Sequence, residues 1–288
     1  MKGAVLYGAG DIRFEHRDDP KIVAPTDAIL RLSATCICGS DLWPYRGLQP
    51  IDGPTPMGHE YCGIVEEVGS AVRSIKPGQF VVGSFATSDN TCPHCQYGYQ
   101  SSCVHREFML RAQAPFLRVP QADGTLVPTP AGVPSKDLVP SLLAASDVLG
   151  TGWFAAEAAN VKPGGTVVVV GDGAVGLLGV LSAKQMAAGR IIVMSRHEER
   201  QKLAREFGAT DIVTERGDEG IGRMCRNEWI LLTVLHPITR AVFVYDQGAF
   251  QRYEPKSSVL PKAASSVDWY RGWRDHLEFA KIEPPAAN

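Results

Sequence analysis

The sequence has little of what would direct a chain to nucleic acid or to a membrane. Acidic and basic residues nearly cancel, 31 against 29, and a net charge of −2 gives no electrostatic case for a nucleic acid or an anionic bilayer. No apolar run reads as a spanning helix. Residues 166–183 contain Asp172 and four glycines, and residues 229–245 are broken by His236, Pro237 and Arg240. The first residues, Met1 to Tyr7, lack signal-peptide organisation and move straight into strand-like sequence. Internal repeats and low-complexity tracts are missing as well. The expectation is a soluble, cytoplasmic protein with no nucleic-acid or membrane partner.

Turn formers, by contrast, are plentiful. Across the first 150 residues, Pro20, Pro25, Gly47, Pro50, Gly53, Pro54, Pro56, Pro77 and Gly78 separate short alternating runs at 3–7, 27–33, 63–68 and 79–83. Many short strands divided by turn signals predict a barrel-like β domain. A chain of 288 residues has room for a second core beside it.

Seven cysteines are an awkward number for disulfides, and three of them form the compact group Cys92, Cys95 and Cys103, spaced C-x2-C-x7-C. The loop around them, 88–103, is too polar to build a core, so a tetrahedral ion held by three thiolates would supply the missing staple. A fourth ligand is then needed. Asp89, three residues before Cys92, continues the spacing and is the best candidate, while His94 and His105 also offer suitable chemistry. Upstream, Cys38, His59 and Glu60 bring together a thiol, an imidazole and a carboxylate flanked by glycines. Those are the ligand types of a zinc site that keeps one position open for substrate. Asp41 suits the role of hydrogen-bond partner to the far nitrogen of His59. Cys36 and Cys62 read as small apolar residues in neighbouring strands.

The second half has a different grammar. Thr166–Val170 is a β-branched run without alternation, as in a parallel strand buried on both faces. It runs into Gly171-Asp172-Gly173-Ala174-Val175-Gly176 and then a helical stretch from Leu177. A G-x-G-x-x-G between strand and helix is the dinucleotide turn, its phosphates resting on the helix N-terminus. The next strand, Arg190–Met194, ends on Ser195-Arg196 where NAD sites carry a carboxylate for the ribose. With no carboxylate there and a guanidinium at Arg196, with Arg200 able to share, the expected cofactor is NADP(H) rather than NAD(H). Helix 198–207 closing at Gly208 and a third strand from Asp211 follow.

Taken together, the chain resembles the zinc-dependent medium-chain alcohol dehydrogenases. The resemblance rests on Cys38-Gly39-Ser40-Asp41, on the run from Gly58-His59-Glu60 to Val68-Gly69, on the cysteine lobe, on Ser146 to Trp153 and on the glycine turn, in family order over residues 1–218. It implies a GroES-like β-barrel catalytic domain over 1–150 and a Rossmann-type α/β nucleotide domain over 151–220. It implies a catalytic zinc on Cys38, His59 and Asp147 with Glu60 as a nearby or alternating ligand, and a structural zinc in the lobe. Ser40 would relay the substrate proton, and Thr151 would lie at the cofactor. The implied reaction is hydride transfer between NADP(H) and a small alcohol or its aldehyde or ketone. Trp43 stands where members often have a histidine, and with Trp153 is expected to line the substrate pocket.

Beyond Gly220 the resemblance stops. None of the later strands or glycine turns is recognisable in the divergent segment 221–288, so the nucleotide domain is expected to be incomplete, with an uncovered strand edge. The strands that often join family dimers are among those missing, which weighs against a homo-oligomer. A non-catalytic remnant that keeps zinc without cofactor turnover is the alternative. A zinc module docking through its cysteine lobe is a third, disfavoured by the intact elements at 38–41 and 58–60.

Overall fold

The computed structural model describes residues 1–215 and 219–220, together with the backbone of strands within 230–253. The divergent tail expected over 221–288 otherwise lies outside the described residues. The chain divides into two compact units, Met1–Thr151 and Gly152–Asn288.

The first unit is β-rich. Strands β1 (Lys2–Gly8) and β2 (Asp11–His16) form a hairpin, followed by β3 (Ala28–Cys36) and the short helix α1 (Leu42–Tyr45). Strands β4 (Thr55–Pro56), β5 (Glu60–Val68) and β6 (Phe80–Gly83) come next. One helical turn, α2 (Pro93–Gln96), lies in the cysteine lobe, before β7 (Phe116–Val119), α3 (Ala122–Thr125) and β8 (Leu126–Pro128). Two helices close the unit: α4 (Val139–Ala144) and α5 (Val148–Ala158), the latter running on past residue 151. The main sheet has the order β7-β3-β5-β6-β8, and β4-β1-β2 make a smaller one. Inward residues of several strands, Leu30, Tyr61, Val65, Val81 and Leu117, form one core. Each large side chain so buried contributes roughly 1.5–3 kcal/mol.

The β3–β5 ladder positions the chemistry. The strands are antiparallel, with Cys36 opposite Glu60 and a register shift between Leu32 and Ala34. At that shift Gly63 lies against the β3 backbone. A Cβ there would collide with the Arg31 carbonyl and come within 2.8 Å of Leu32 Cα.

The second unit begins with β9 (Thr166–Val170), α6 (Ala174–Gln185), β10 (Arg190–Met194), α7 (Glu198–Phe207) and β11 (Asp211–Val213). All strand pairs in its sheet are parallel. The β9 run is buried on both faces, as its lack of alternation predicts. Val167 and Val169 pack with Leu177, Val180 and Ala183 of α6, while Val168 packs with Ile192 and Val213 on the opposite face. One expectation needs correction. A later strand does join the sheet: β12 (Ile230–Leu232) pairs with β9 in parallel, giving the order β11-β10-β9-β12, so that among the described residues the sheet edge lies at β12. Strands β13 (Val242–Asp246) and β14 (Ala249–Tyr253) form a separate antiparallel pair. The strand order reverses at β9, the arrangement that opens a ligand crevice at the carboxyl ends of doubly wound sheets.

Backbone contact at Gly63 gives a stability test. Gly63→Ala is expected to destabilise by about 1–3 kcal/mol through overpacking against main chain that cannot move aside. Gly150, in α5 with nothing within 4 Å of the place a methyl group would take, should behave in the opposite way. Gly150→Ala should stabilise by about 0.5–1 kcal/mol through helix propensity. Urea unfolding midpoints of the two variants check both signs.

Candidate functional site

Residues 109 positions apart in sequence, Cys38 and Asp147, meet in the first unit. Cys38 follows β3 by two residues, and His59 immediately precedes β5, so the β3–β5 pairing brings thiol and imidazole to one end of the sheet. Asp147 arrives from the turn between α4 and α5. Leu143 of α4 packs with Cys62 and Phe80, and the Ser146 hydroxyl donates to the Leu143 carbonyl at 2.7 Å, which fixes that turn. Candidate ligand atoms of Cys38, His59, Glu60 and Asp147 all lie within 4.8 Å of one another.

Hydrogen bonds set the orientation of each group. His59 Nδ1 is 3.2 Å from Asp41 Oδ1, and His59 Nε2 is 3.4 Å from Asp147 Oδ2. Asp41, buried in the short 3-10 turn after Cys38, also accepts from the Cys38 amide at 2.8 Å. Thr151 donates to Asp147 Oδ1 at 3.1 Å, so the residue expected at the cofactor has its hydroxyl on a ligand candidate. Phe85 presents its ring edge-on to His59 and stacks on Phe108. Burial works against a charge on His59, yet the carboxylates of Asp147 and Asp41 outweigh it and push its pKa up to about 12. The surroundings of the imidazole therefore favour positive charge. One thiol, one imidazole and two carboxylates largely withdrawn from water are a donor set that fits a zinc ion.

Cys36 is more than the apolar filler its sequence suggests. Its Sγ donates to Glu60 Oε2 at 2.6 Å, and Glu60 is only 2% exposed. Burial, and then the bond to Glu60, pushes the Cys36 thiol up to about 12, keeping it the donor. The Thr35 hydroxyl binds the Glu60 carbonyl from the same strand. Cys62 does behave as expected, fully buried beside Phe80. Ser40 is exposed next to Asp41, and Trp43 is half-buried in α1. Trp153 is 41% exposed on α5, with its indole N–H on Glu157.

In the cysteine lobe Asp89, Cys92, Cys95 and Cys103 form a second group within 4.8 Å. The three sulfurs are buried, with Cys92 Sγ 3.5 Å from Cys95 Sγ and 3.9 Å from Cys103 Sγ, and all are free thiols. Backbone amides of Val104 and Cys95 pull the Cys92 thiol toward thiolate, whereas burial and the adjoining sulfurs push Cys95 the other way. Crowded sulfur with amide donors aimed at it fits a tetrahedral cation. His105 is not in the sulfur cluster but binds Asp89 Oδ2 at 2.6 Å, while Asp89 Oδ1 accepts from the Thr91 and Cys92 amides. The imidazole bond, with those amides, holds Asp89 well below the usual carboxylate range. His94 is taken up by the Ser102 carbonyl.

In the second unit the glycine turn joins β9 to α6. Gly171 has φ +120°, which favours glycine, and a Cβ on Gly176 would strike the Gly171 carbonyl. Gly173, the N-cap of α6, has ordinary extended backbone and nothing within 4 Å of a Cβ position. Neither its backbone nor its protein neighbours demand a glycine. The space in front of it, with the amides of Ala174 and Val175 opening the helix, fits a pyrophosphate. Ser195 follows β10 and is buried, and Arg196 is exposed with no hydrogen bond or ion pair to other described residues. Asp172, inside the turn, binds Ser195 and Arg200, a connection that the glycine pattern does not announce.

The Cys36–Glu60 bond predicts a stability cost when broken. Cys36→Val leaves a buried carboxylate oxygen without its donor, costing about 1–3 kcal/mol. Cys36→Ser, which retains a donor, should cost less. Urea unfolding of the chelator-treated protein checks the order.

Residues 24–131 match the alcohol dehydrogenase GroES-like domain. Zinc-type alcohol dehydrogenase B of Aspergillus flavus is 36% identical over 236 residues, covering 77% of this chain and 54% of that protein. NADP-dependent isopropanol dehydrogenase of Clostridium beijerinckii is 33% identical over 294 residues, 98% of this chain and 80% of that one. Zinc dependent alcohol dehydrogenase 2 from Streptococcus pneumonia superposes with a TM-score of 0.69 at 33% identity, over 77% of this chain and 64% of its own. The chain thus spans about half the length of the Aspergillus protein and less than two thirds of the Streptococcus structure. Among the described residues no single helix is long and apolar enough to cross a membrane. On these similarities the chain belongs to the zinc-dependent medium-chain alcohol dehydrogenase family.

Proposed function

We propose that the chain is an oxidoreductase that transfers hydride between NADP(H) and a small alcohol or the corresponding aldehyde or ketone. The observation that carries this reading is the convergence of Cys38, His59, Glu60 and Asp147 within 4.8 Å. Bound among these donors, zinc would supply a Lewis acid for the oxygen of the alcohol or carbonyl substrate. Cys38, His59 and Asp147 would hold it, with Glu60 as a neighbouring or alternating donor. Asp41, accepting from His59 Nδ1, would fix the tautomer whose Nε2 faces Asp147. In the oxidative direction the alcohol carbon would lose hydride to the bound nicotinamide, and Ser40 Oγ would carry the hydroxyl proton outward. A second zinc, held by Asp89, Cys92, Cys95 and Cys103, would staple the lobe.

On the nucleotide side, the turn from Gly171 to Gly176 would seat the pyrophosphate, with the Ala174 and Val175 amides as donors. Arg196 would take the 2′-phosphate, since the end of β10 has no carboxylate to refuse it. The NADP-dependent relative supports the same choice and makes isopropanol a first substrate to try.

The second reading is a zinc-holding remnant without cofactor turnover. A fluorescence titration of the zinc-loaded protein with NADPH and with NADH separates the two. The dehydrogenase reading expects saturable binding that favours NADPH, and hydride exchange with isopropanol that a chelator abolishes without abolishing nucleotide binding. Zinc retained with neither nucleotide bound would establish the remnant. Arg196→Ala should weaken NADPH about tenfold or more while leaving NADH nearly unchanged, the loss expected of one charge-assisted contact to phosphate. An unchanged preference would remove Arg196 from that role.

A further inference from the structure

We infer that Asp172, inside the glycine turn, governs how strongly the site prefers NADP(H), an inference that rests on the dehydrogenase reading above. Asp172 Oδ2 accepts from the Ser195 hydroxyl at 2.8 Å, across 23 residues of sequence. Asp172 Oδ1 accepts from Arg200 Nη1 at 2.9 Å. Ser195 is 2% exposed and immediately follows β10, the place where NAD-binding sheets carry the carboxylate that bonds the ribose 2′-hydroxyl. The negative charge missing from that strand end is therefore supplied from the adjoining loop, one hydrogen bond away.

Two consequences follow from that placement. A carboxylate next to the 2′ position repels a 2′-phosphate and tolerates or binds a 2′-hydroxyl. It also engages Arg200, which the sequence alone would count as a second phosphate partner. Of these two arginines, Arg196 is then the one without a carboxylate partner among the described residues. Burial tends to raise the Asp172 pKa, but the bonds from Ser195 and Arg200 prevail and lower it, so the group is ionised at neutral pH. Asp172 thus acts against Arg196, and Arg200 offsets part of its charge.

Asp172→Asn keeps the shape and an acceptor for Ser195, removes the charge and releases Arg200. Arg200→Ala does the reverse, leaving the carboxylate uncompensated. Dissociation constants for NADPH and NADH, measured by fluorescence titration of the full zinc-loaded chain, give the ratio that tests the idea. Asp172→Asn should shift that ratio about tenfold toward NADPH, and Arg200→Ala should shift it toward NADH. Both shifts should shrink as salt is raised. A ratio that stays within about twofold of the parent in both variants overturns the inference. So does a parallel loss of both nucleotides, which would mark Asp172 as scaffold for the turn. Should the parent chain bind neither nucleotide, the dehydrogenase reading falls and this inference with it. Nucleotide binding with an unmoved ratio removes only the role of Asp172.

Discussion

The antiparallel pairing of β3 with β5 is the constraint on which the candidate metal site depends. Its register sets Cys36 opposite Glu60, so that Cys38 just beyond one strand and His59 just before the other fall together. A one-residue slip in such a ladder would turn every side chain to the other face. The register is held by features that cannot slide. The Leu30, Tyr61 and Val65 core must face inward, and Gly63 passes the Arg31 carbonyl where only a residue without Cβ fits. The Cys36–Glu60 bond then ties the two strands at the metal end.

Around that geometry the electrostatics are one-sided. Asp41, Glu60 and Asp147 are all withdrawn from water and surround a single imidazole. In the lobe, Asp89 and three buried sulfurs are likewise brought together, with His105 and backbone amides donating to them. Collecting acidic groups out of water is unfavourable unless positive charge answers them. In the proposed reading, a cation in the lobe would take the place of the hydrophobic core that the polar cysteine loop lacks. A bound cation contributes directly to folding where the ligands exist together only in the folded state.

The second unit solves a different problem, how to present backbone donors to an anion. Burial of β9 on both faces fixes the strand, and the steric demands of Gly171 and Gly176 fix the turn, leaving the approach over Gly173 open. In the proposed reading the selectivity of such a turn would rest on side chains from separate segments. Asp172 belongs to the first strand's loop, while Ser195 and Arg200 belong to the end of β10 and the start of α7.

Much of this was legible in the linear chain because it depends on local physics. Short alternating runs divided by proline and glycine announced the β domain, and the unbroken Thr166–Val170 run announced a strand with two covered faces. The spacing of Cys92, Cys95 and Cys103 announced a compact group of thiols, and the glycine pattern announced a turn between a strand and a helix. Asp147 entered only through family resemblance, because nothing in the residues around it signals a partner more than a hundred positions away. What only tertiary structure decided were pairings between distant segments: the Cys36 thiol on Glu60, His105 on Asp89, Asp172 on Ser195 and Arg200, and β12 along the edge of β9. Periodicity and spacing report which face a residue occupies and what its neighbours in sequence are. They do not name the partner of a strand or the loop a side chain crosses, since those are settled by packing of the whole unit.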